Sequence, residues 1–153
     1  MEEAHAAINW QVIFLLAGVL PLGIALTKTG TAQFIVDSTI DLLGNQGPYI
    51  TLAAIYLITA FLTEIISNNA TAVLMAPIAI STAIGLGISP KPLLIAVCFA
   101  ASTSFSTPVG YQTNTMVYNP AGYKFSDFIK AGVPLNIIFC ILAVIFIPVF
   151  WSF

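Results

Sequence analysis

The sequence predicts an all-α integral membrane protein, and three observations carry that prediction. Hydrophobic residues make up 59% of the 153 residues and charged residues only 7%, against about 25% charged in an ordinary soluble domain, so a water-soluble surface cannot be assembled from them. The apolar residues are gathered into runs near lipid-crossing length. Between these runs lie two polar interruptions, 67-SNNAT-71 and 107-TPVGYQTNT-115, where a lipid environment offers no hydrogen-bond partner.

The first span is expected over 8–28. It carries Trp10 near one interface and Lys28 at the other end, the anchors such positions favour, and Gly18, Pro21 and Gly23 thin or bend it for close approach by a neighbour. Segment 31–45 differs in kind: Phe34, Ile35, Ile40, Leu42 and Leu43 separate from Gln33, Asp37, Ser38 and Asp41, which predicts an amphipathic helix lying in the interface. Gly47-Pro48 opens a second apolar run. It and its successor form two arms, 49–66 and 70–86, joined at Ser67-Asn68-Asn69 with no water-exposed loop between them. Each arm is near the lower limit for a span. Two readings stay open: a helix–turn–helix that enters and leaves on one face, or two full spans joined by a tight turn.

After the loop 87-GISPKP-92 a broken helix is expected over 93–118, since Pro108 and Gly110 both oppose continuous helix. Lys124, Asp127 and Lys130 mark a short interfacial helix at 123–131, and its lysines point to the cytoplasmic side. The last segment, 133–152, reads as a plain span, with Pro134 suited to its first turn and Trp151 anchoring its far end.

Several function classes drop out. Four lysines, no arginine and a formal charge of −2 leave no basic patch for phosphates, so nucleic acid is not a partner. Cys98 and Cys140 lie in apolar runs without metal-type spacing and read as packing residues. His5 has no partner and reads as a surface residue. Met1-Glu2-Glu3 lacks the basic flank of a signal peptide. No His-Glu-x-x-His, Gly-x-Ser-x-Gly or phosphate-cradling loop is present, so nothing argues for an enzyme or a cofactor.

The two breaks carry the chemistry. Non-helical chain at membrane depth is tolerated only where protein covers it or water reaches it. Broken helices expose N–H groups that attract an anion and carbonyls that coordinate a cation, while Ser, Thr and Asn add the neutral oxygens that a hard ion such as sodium accepts. Ser67, Asn68 and Asn69 form one lip; Gly110, Tyr111, Gln112, Thr113 and Asn114 form the other. The competing reading of Ser-Asn-Asn is an ordinary helix cap. Glu64, an acid inside an apolar arm one turn before the first break, is a candidate for ion coupling, or else orients the turn by hydrogen bonding. Thr63 lies four residues before Ser67, on the same helical face. Its hydroxyl is available either to an ion or to a preceding carbonyl.

At 8-INWQVIFLLAGVLPLGIALTKTG-30, 63-TEIISNNATAVLMAP-77 and 104-SFSTPVGYQTNTMVYNPAGYKFSDF-128 the sequence resembles the C-terminal repeat of the divalent-anion/sodium symporter family, also described as citrate-transporter-like permeases. The resemblance extends over nearly the whole chain. It implies one repeat of an inverted-repeat transporter, with a re-entrant helical hairpin whose tip is Ser67-Asn68-Asn69, a broken helix, and interfacial amphipathic helices. It further implies sodium as the coupling ion, held by Thr63, Ser67, Asn68 and the backbone at Gly110, and an anionic solute facing Asn68 and Asn69. Asn69 stands where dicarboxylate carriers of the family have Thr, and 110-GYQTN-114 departs from their Ala-Thr-Pro-Pro-Asn pattern, so sulfate or another inorganic anion competes with a dicarboxylate as substrate. By the same resemblance the complete protein is a homodimer in a bacterial or archaeal plasma membrane. The N-terminal repeat has no counterpart here. The chain is therefore expected to be a fragment of a longer transporter or a half-transporter completed by a separate chain, and the alternative is a non-transporting membrane subunit.

Overall fold

Pro48 opens helix α1 (Pro48–Thr63) at a position where its missing N–H has no helical partner to lose. A four-residue turn, 64–67, then leads into α2 (Asn68–Gly85). Ser89 caps α3 (Pro90–Ala101), its hydroxyl accepting the Lys91 N–H at 3.4 Å. Residues 102–111 are non-helical, α4 (Gln112–Tyr118) is a seven-residue helix, and α5 (Phe125–Phe150) runs for 26 residues. The computed structural model describes residues 47–153 except 119 and 121, together with Phe14, Ala17, Pro21, Ala25, Lys28, Thr29, Gly30, Phe34 and Ser38. Most of the expected span at 8–28 and interfacial helix at 31–45 therefore lie outside the described residues. Within them Phe14, Ala17, Pro21, Ala25, Lys28, Phe34 and Ser38 are helical. Every regular element among the described residues is a helix.

Helix α3 is the centre of the packing. It lies against both α1 and α2 more extensively than those two lie against each other, and α5 adds to the outside of α1 and α3. Leu93, Ala96, Val97 and Ala100 of α3 are buried. Facing them, α1 buries Leu52, Ile55, Tyr56, Thr59, Ala60 and Thr63, at spacings of three and four residues that trace one helical stripe. The α2 stripe is smaller in volume, with Thr71, Met75, Ala79, Thr82 and Ala83, and small residues of this kind let helix backbones approach in lipid.

Helix α5 is the one described helix long and apolar enough to cross a membrane. At about 1.5 Å per residue it spans roughly 39 Å, whereas α1, α2 and α3 reach only about 24, 27 and 18 Å, less than a hydrocarbon core of about 30 Å. It buries only Gly132, Cys140, Ala143 and Ile147, while Ile137, Ile141, Ile145, Val149 and Phe150 are exposed. Such an apolar face suits hydrocarbon and would be a liability in water.

The segments expected as an interfacial helix at 123–131 and a span at 133–152 form one continuous helix. The reason lies at its start: the Lys124 N–H donates to the Asp127 carboxylate at 2.8 Å, so the helix begins eight residues before Val133. Pro134 consequently sits in the helix interior, as does Pro148. The broken helix expected over 93–118 is observed as α3 and α4 separated by 102–111.

Candidate functional site

The end of α1, the start of α2 and the break after α3 converge. Thr63, the last residue of α1, is fully buried. Its hydroxyl lies 2.8 Å from Asn68 Oδ1 and 2.8 Å from the Ala101 carbonyl. Ser104 Oγ stands 3.3 Å from the same Asn68 oxygen. A hydroxyl carries one proton. Whichever acceptor Thr63 takes, the other oxygen faces it at 2.8 Å with no proton between them, unless the Asn68 amide turns its nitrogen inward. A cluster of neutral oxygens with fewer protons than contacts is a donor set that a hard cation satisfies.

Gly110 belongs to the same convergence. A side-chain carbon there would lie 2.9 Å from the Thr63 carbonyl oxygen, 3.0 Å from Ser104 Cβ and 3.1 Å from Glu64 Cα, so the break reaches the end of α1 only because position 110 lacks a side chain. Gly110→Ala is expected to push the break away from Thr63 and to lower the unfolding midpoint, at an overpacking cost of about 1–3 kcal/mol. A midpoint equal to wild type would refute that expectation.

Glu64 is 9% exposed and points away from the Thr63 cluster into the break. Its Oε1 accepts the Ser106 N–H at 2.8 Å and the Asn136 amide at 3.0 Å. Its main-chain carbonyl accepts the Thr107 hydroxyl at 2.9 Å, and Thr107 Oγ1 in turn accepts the Gly110 N–H at 3.0 Å. Asn114 donates both amide bonds inward, to the carbonyls of Ser104 at 2.8 Å and Thr107 at 3.0 Å. The break is thus a folded, internally satisfied turn.

The structure brings together Thr63, Asn68 and Gly110, and sets Glu64 beside them. Ser67 is exposed and caps α2, its hydroxyl accepting the Ala70 N–H at 3.4 Å. Asn69 is exposed at the N-terminus of the same helix. Tyr111, Gln112 and Thr113 lie exposed at the start of α4, and among the described residues no hydrogen bond joins them to 63–69. Sequence reasoning missed Ser104, Ser106 and Asn136. Only Asn136 left a signal, as a polar side chain inside an apolar span.

Helix α5 supplies a ruler for this site. Its Gly132 packs on the main chain of Phe105 and Ser106, and Asn136 bonds to Glu64 and Ser106. These positions lie seven and eleven residues after Phe125, hence roughly 10 to 17 Å along a helix of about 39 Å. At the opposite end Tyr49 of α1 stacks edge-on against Phe153 at 5.3 Å, so α1 runs antiparallel to α5 and ends partway along it.

Described residues whose regular elements are all helices, with a long apolar helix, short flanking helices and a buried polar break partway along, fit the architecture of a membrane protein. The comparisons with known proteins agree with that class. The family model described as citrate transporter matches residues 1–88. An uncharacterized transporter of Synechocystis sp. is 52% identical over 136 residues, covering 89% of this chain and 22% of its own length. An uncharacterized transporter of Escherichia coli is 43% identical over 152 residues, covering 99% of this chain and 25% of its own length. Sodium/sulfate cotransporter 1 of Chlamydomonas reinhardtii is 35% identical over 143 residues, covering 93% of this chain and 16% of its own length. The chain belongs to the citrate transporter family, as the resemblance in its motifs implies. It spans about a quarter or less of the length of these curated relatives.

Proposed function

We propose that this chain forms one repeat of an ion-coupled secondary transporter of a small divalent anion, with sodium as the coupling ion and sulfate ahead of a dicarboxylate as substrate. The observation that carries the reading is the oxygen cluster of Thr63, Asn68, Ser104 and the Ala101 carbonyl beside the Gly110 backbone. Sodium binds there, with Ser67 released from its long capping contact as a further oxygen. The anion meets Asn69 and the N–H groups at the start of α2, where the helix dipole favours negative charge, and the exposed lip of Tyr111, Gln112 and Thr113, which Asn114 holds in place through the Ser104 and Thr107 carbonyls. Sodium offsets part of the anion's charge, so the two load together.

Three features support the re-entrant reading over two full spans. Helices α1 and α2 are each short for the hydrocarbon core, and the turn between them meets α5 partway along its length. Ile65 and Ile66 of that turn are exposed apolar residues, which suits a tip at membrane depth better than an aqueous loop. The relatives named sodium/sulfate cotransporters favour sodium and sulfate. Since the chain corresponds to about a quarter of its relatives' length, transport is a property of the complete protein with its N-terminal repeat, working as a homodimer in a bacterial or archaeal plasma membrane. The test is uptake of labelled sulfate by the full-length protein in liposomes. An inward sodium gradient is expected to drive accumulation that potassium and choline do not support. Equal uptake in all three would sink sodium coupling, and no uptake of sulfate or dicarboxylates would sink the substrate class.

A further inference from the structure

We infer that Asn136 of α5 is a positioning residue for the transport site, acting through Glu64, whose carboxylate is a hydrogen-bonded brace and not an ion ligand. The inference rests on the transport reading above. Three side chains far apart in sequence close one triangle. Glu64 Oε1 accepts the Ser106 N–H at 2.8 Å and one Asn136 amide bond at 3.0 Å, and the same amide nitrogen donates to Ser106 Oγ at 2.9 Å. An amide nitrogen has two protons, so both are committed, one to the end of α1 and one to the break.

The triangle fixes the ion site from behind. Thr63 and Glu64 are consecutive: the first turns its side chain to Asn68 and Ala101, the second to Ser106 and Asn136. Holding Ser106 therefore sets Ser104 on one side, and Thr107 with Gly110 on the other. Among the described residues no hydrogen bond joins the Glu64 carboxylate to Asn68 or Ser104. Gly132, one helical turn before Asn136, rests on the same segment at Phe105 and Ser106, so α5 grips the break at two points on one helical face.

Glu64 Oε2 and Asn136 Oδ1 are buried and left without a donor among the described residues. With no donor of their own, neither oxygen holds the pair, so the brace depends on the two Asn136 amide protons and the Ser106 N–H.

The experiment uses the full-length protein, with thermal unfolding in detergent and sodium titration of sulfate uptake in liposomes read on the same variants. Asn136→Asp, equal in shape but lacking the donor, is expected to lower the unfolding midpoint and raise the sodium needed for half-maximal uptake by about tenfold, the scale of one lost buried hydrogen bond to a charged group. Glu64→Gln alone retains both properties near wild type, whereas Glu64→Ala loses both. The inference is overturned if Glu64→Gln is as inactive as Glu64→Ala, because the negative charge at 64 is then the essential property. It is equally overturned if Asn136→Asp matches wild type. A wild-type protein whose uptake ignores sodium sinks the transport reading instead, and the order of unfolding midpoints then decides the brace alone.

Discussion

Gly132→Ala is expected to unseat α5 and to cost more stability than a methyl added at Gly110. A carbon at that position would lie 2.3 Å from the Phe105 carbonyl oxygen, 2.4 Å from its carbon and 2.5 Å from Ser106 Cα. All three are main-chain atoms of a segment held by Glu64, Asn136 and Asn114, so no flexible side chain can swing aside. Overpacking commonly costs about 1–3 kcal/mol where side chains can adjust; here the helix or the break must move, which places the effect at or above that upper end. The full-length variant should unfold at a clearly lower temperature in detergent and lose sodium-driven uptake. Ala131→Leu, on the exposed neighbouring position, should leave both close to wild type. An unchanged midpoint for Gly132→Ala would mean that α5 does not press on the break.

Removing single oxygens from the cluster at the end of α1 should produce the second large effect, this time on ion affinity. Thr63→Val keeps the shape of a fully buried side chain and deletes its hydroxyl, leaving the Ala101 carbonyl and Asn68 amide without that partner. Asn68→Ala deletes the oxygen shared by Thr63 and Ser104. A buried polar group left unsatisfied costs about 1–3 kcal/mol, and 1.4 kcal/mol is a factor of about ten in affinity. Each variant should therefore need roughly tenfold or more sodium, with Asn68→Ala the more severe because it removes the acceptor facing both the Thr63 and the Ser104 hydroxyls.

The elements of this fold were legible wherever a local rule governs them. Gly47-Pro48 marks the start of α1, Ser67 suits the cap of α2, and the polar run after Ala101 announces a break, whereas the Ser89 cap starts α3 at Pro90 inside the expected loop 87–92. The start of α5 was misplaced because Pro134 reads as a helix beginning, while the Asp127 carboxylate bonded to the Lys124 N–H had already begun the helix. In the site, Thr63, Asn68 and Gly110 were accessible from motif and resemblance. Ser104, Ser106, Gly132 and Asn136 were not, since each acts through contacts more than 25 residues away in sequence. Periodicity carries no record of such contacts. Asn136 in an apolar helix was the one visible clue, because an amide in lipid needs a partner. Ser67 shows the converse: its residue type suits a cap and an ion ligand alike, and the structure places it as a cap.

The oxygens gathered around Thr63 are proposed to bind the sodium ion that drives transport. Sodium titration of sulfate uptake by the full-length protein in liposomes, wild type against Thr63→Val, tests it most directly. A saturable sodium dependence is expected, shifted to roughly tenfold higher concentration in the variant, with the maximal rate approached again at high sodium. Superimposable sodium curves for the two proteins would contradict it.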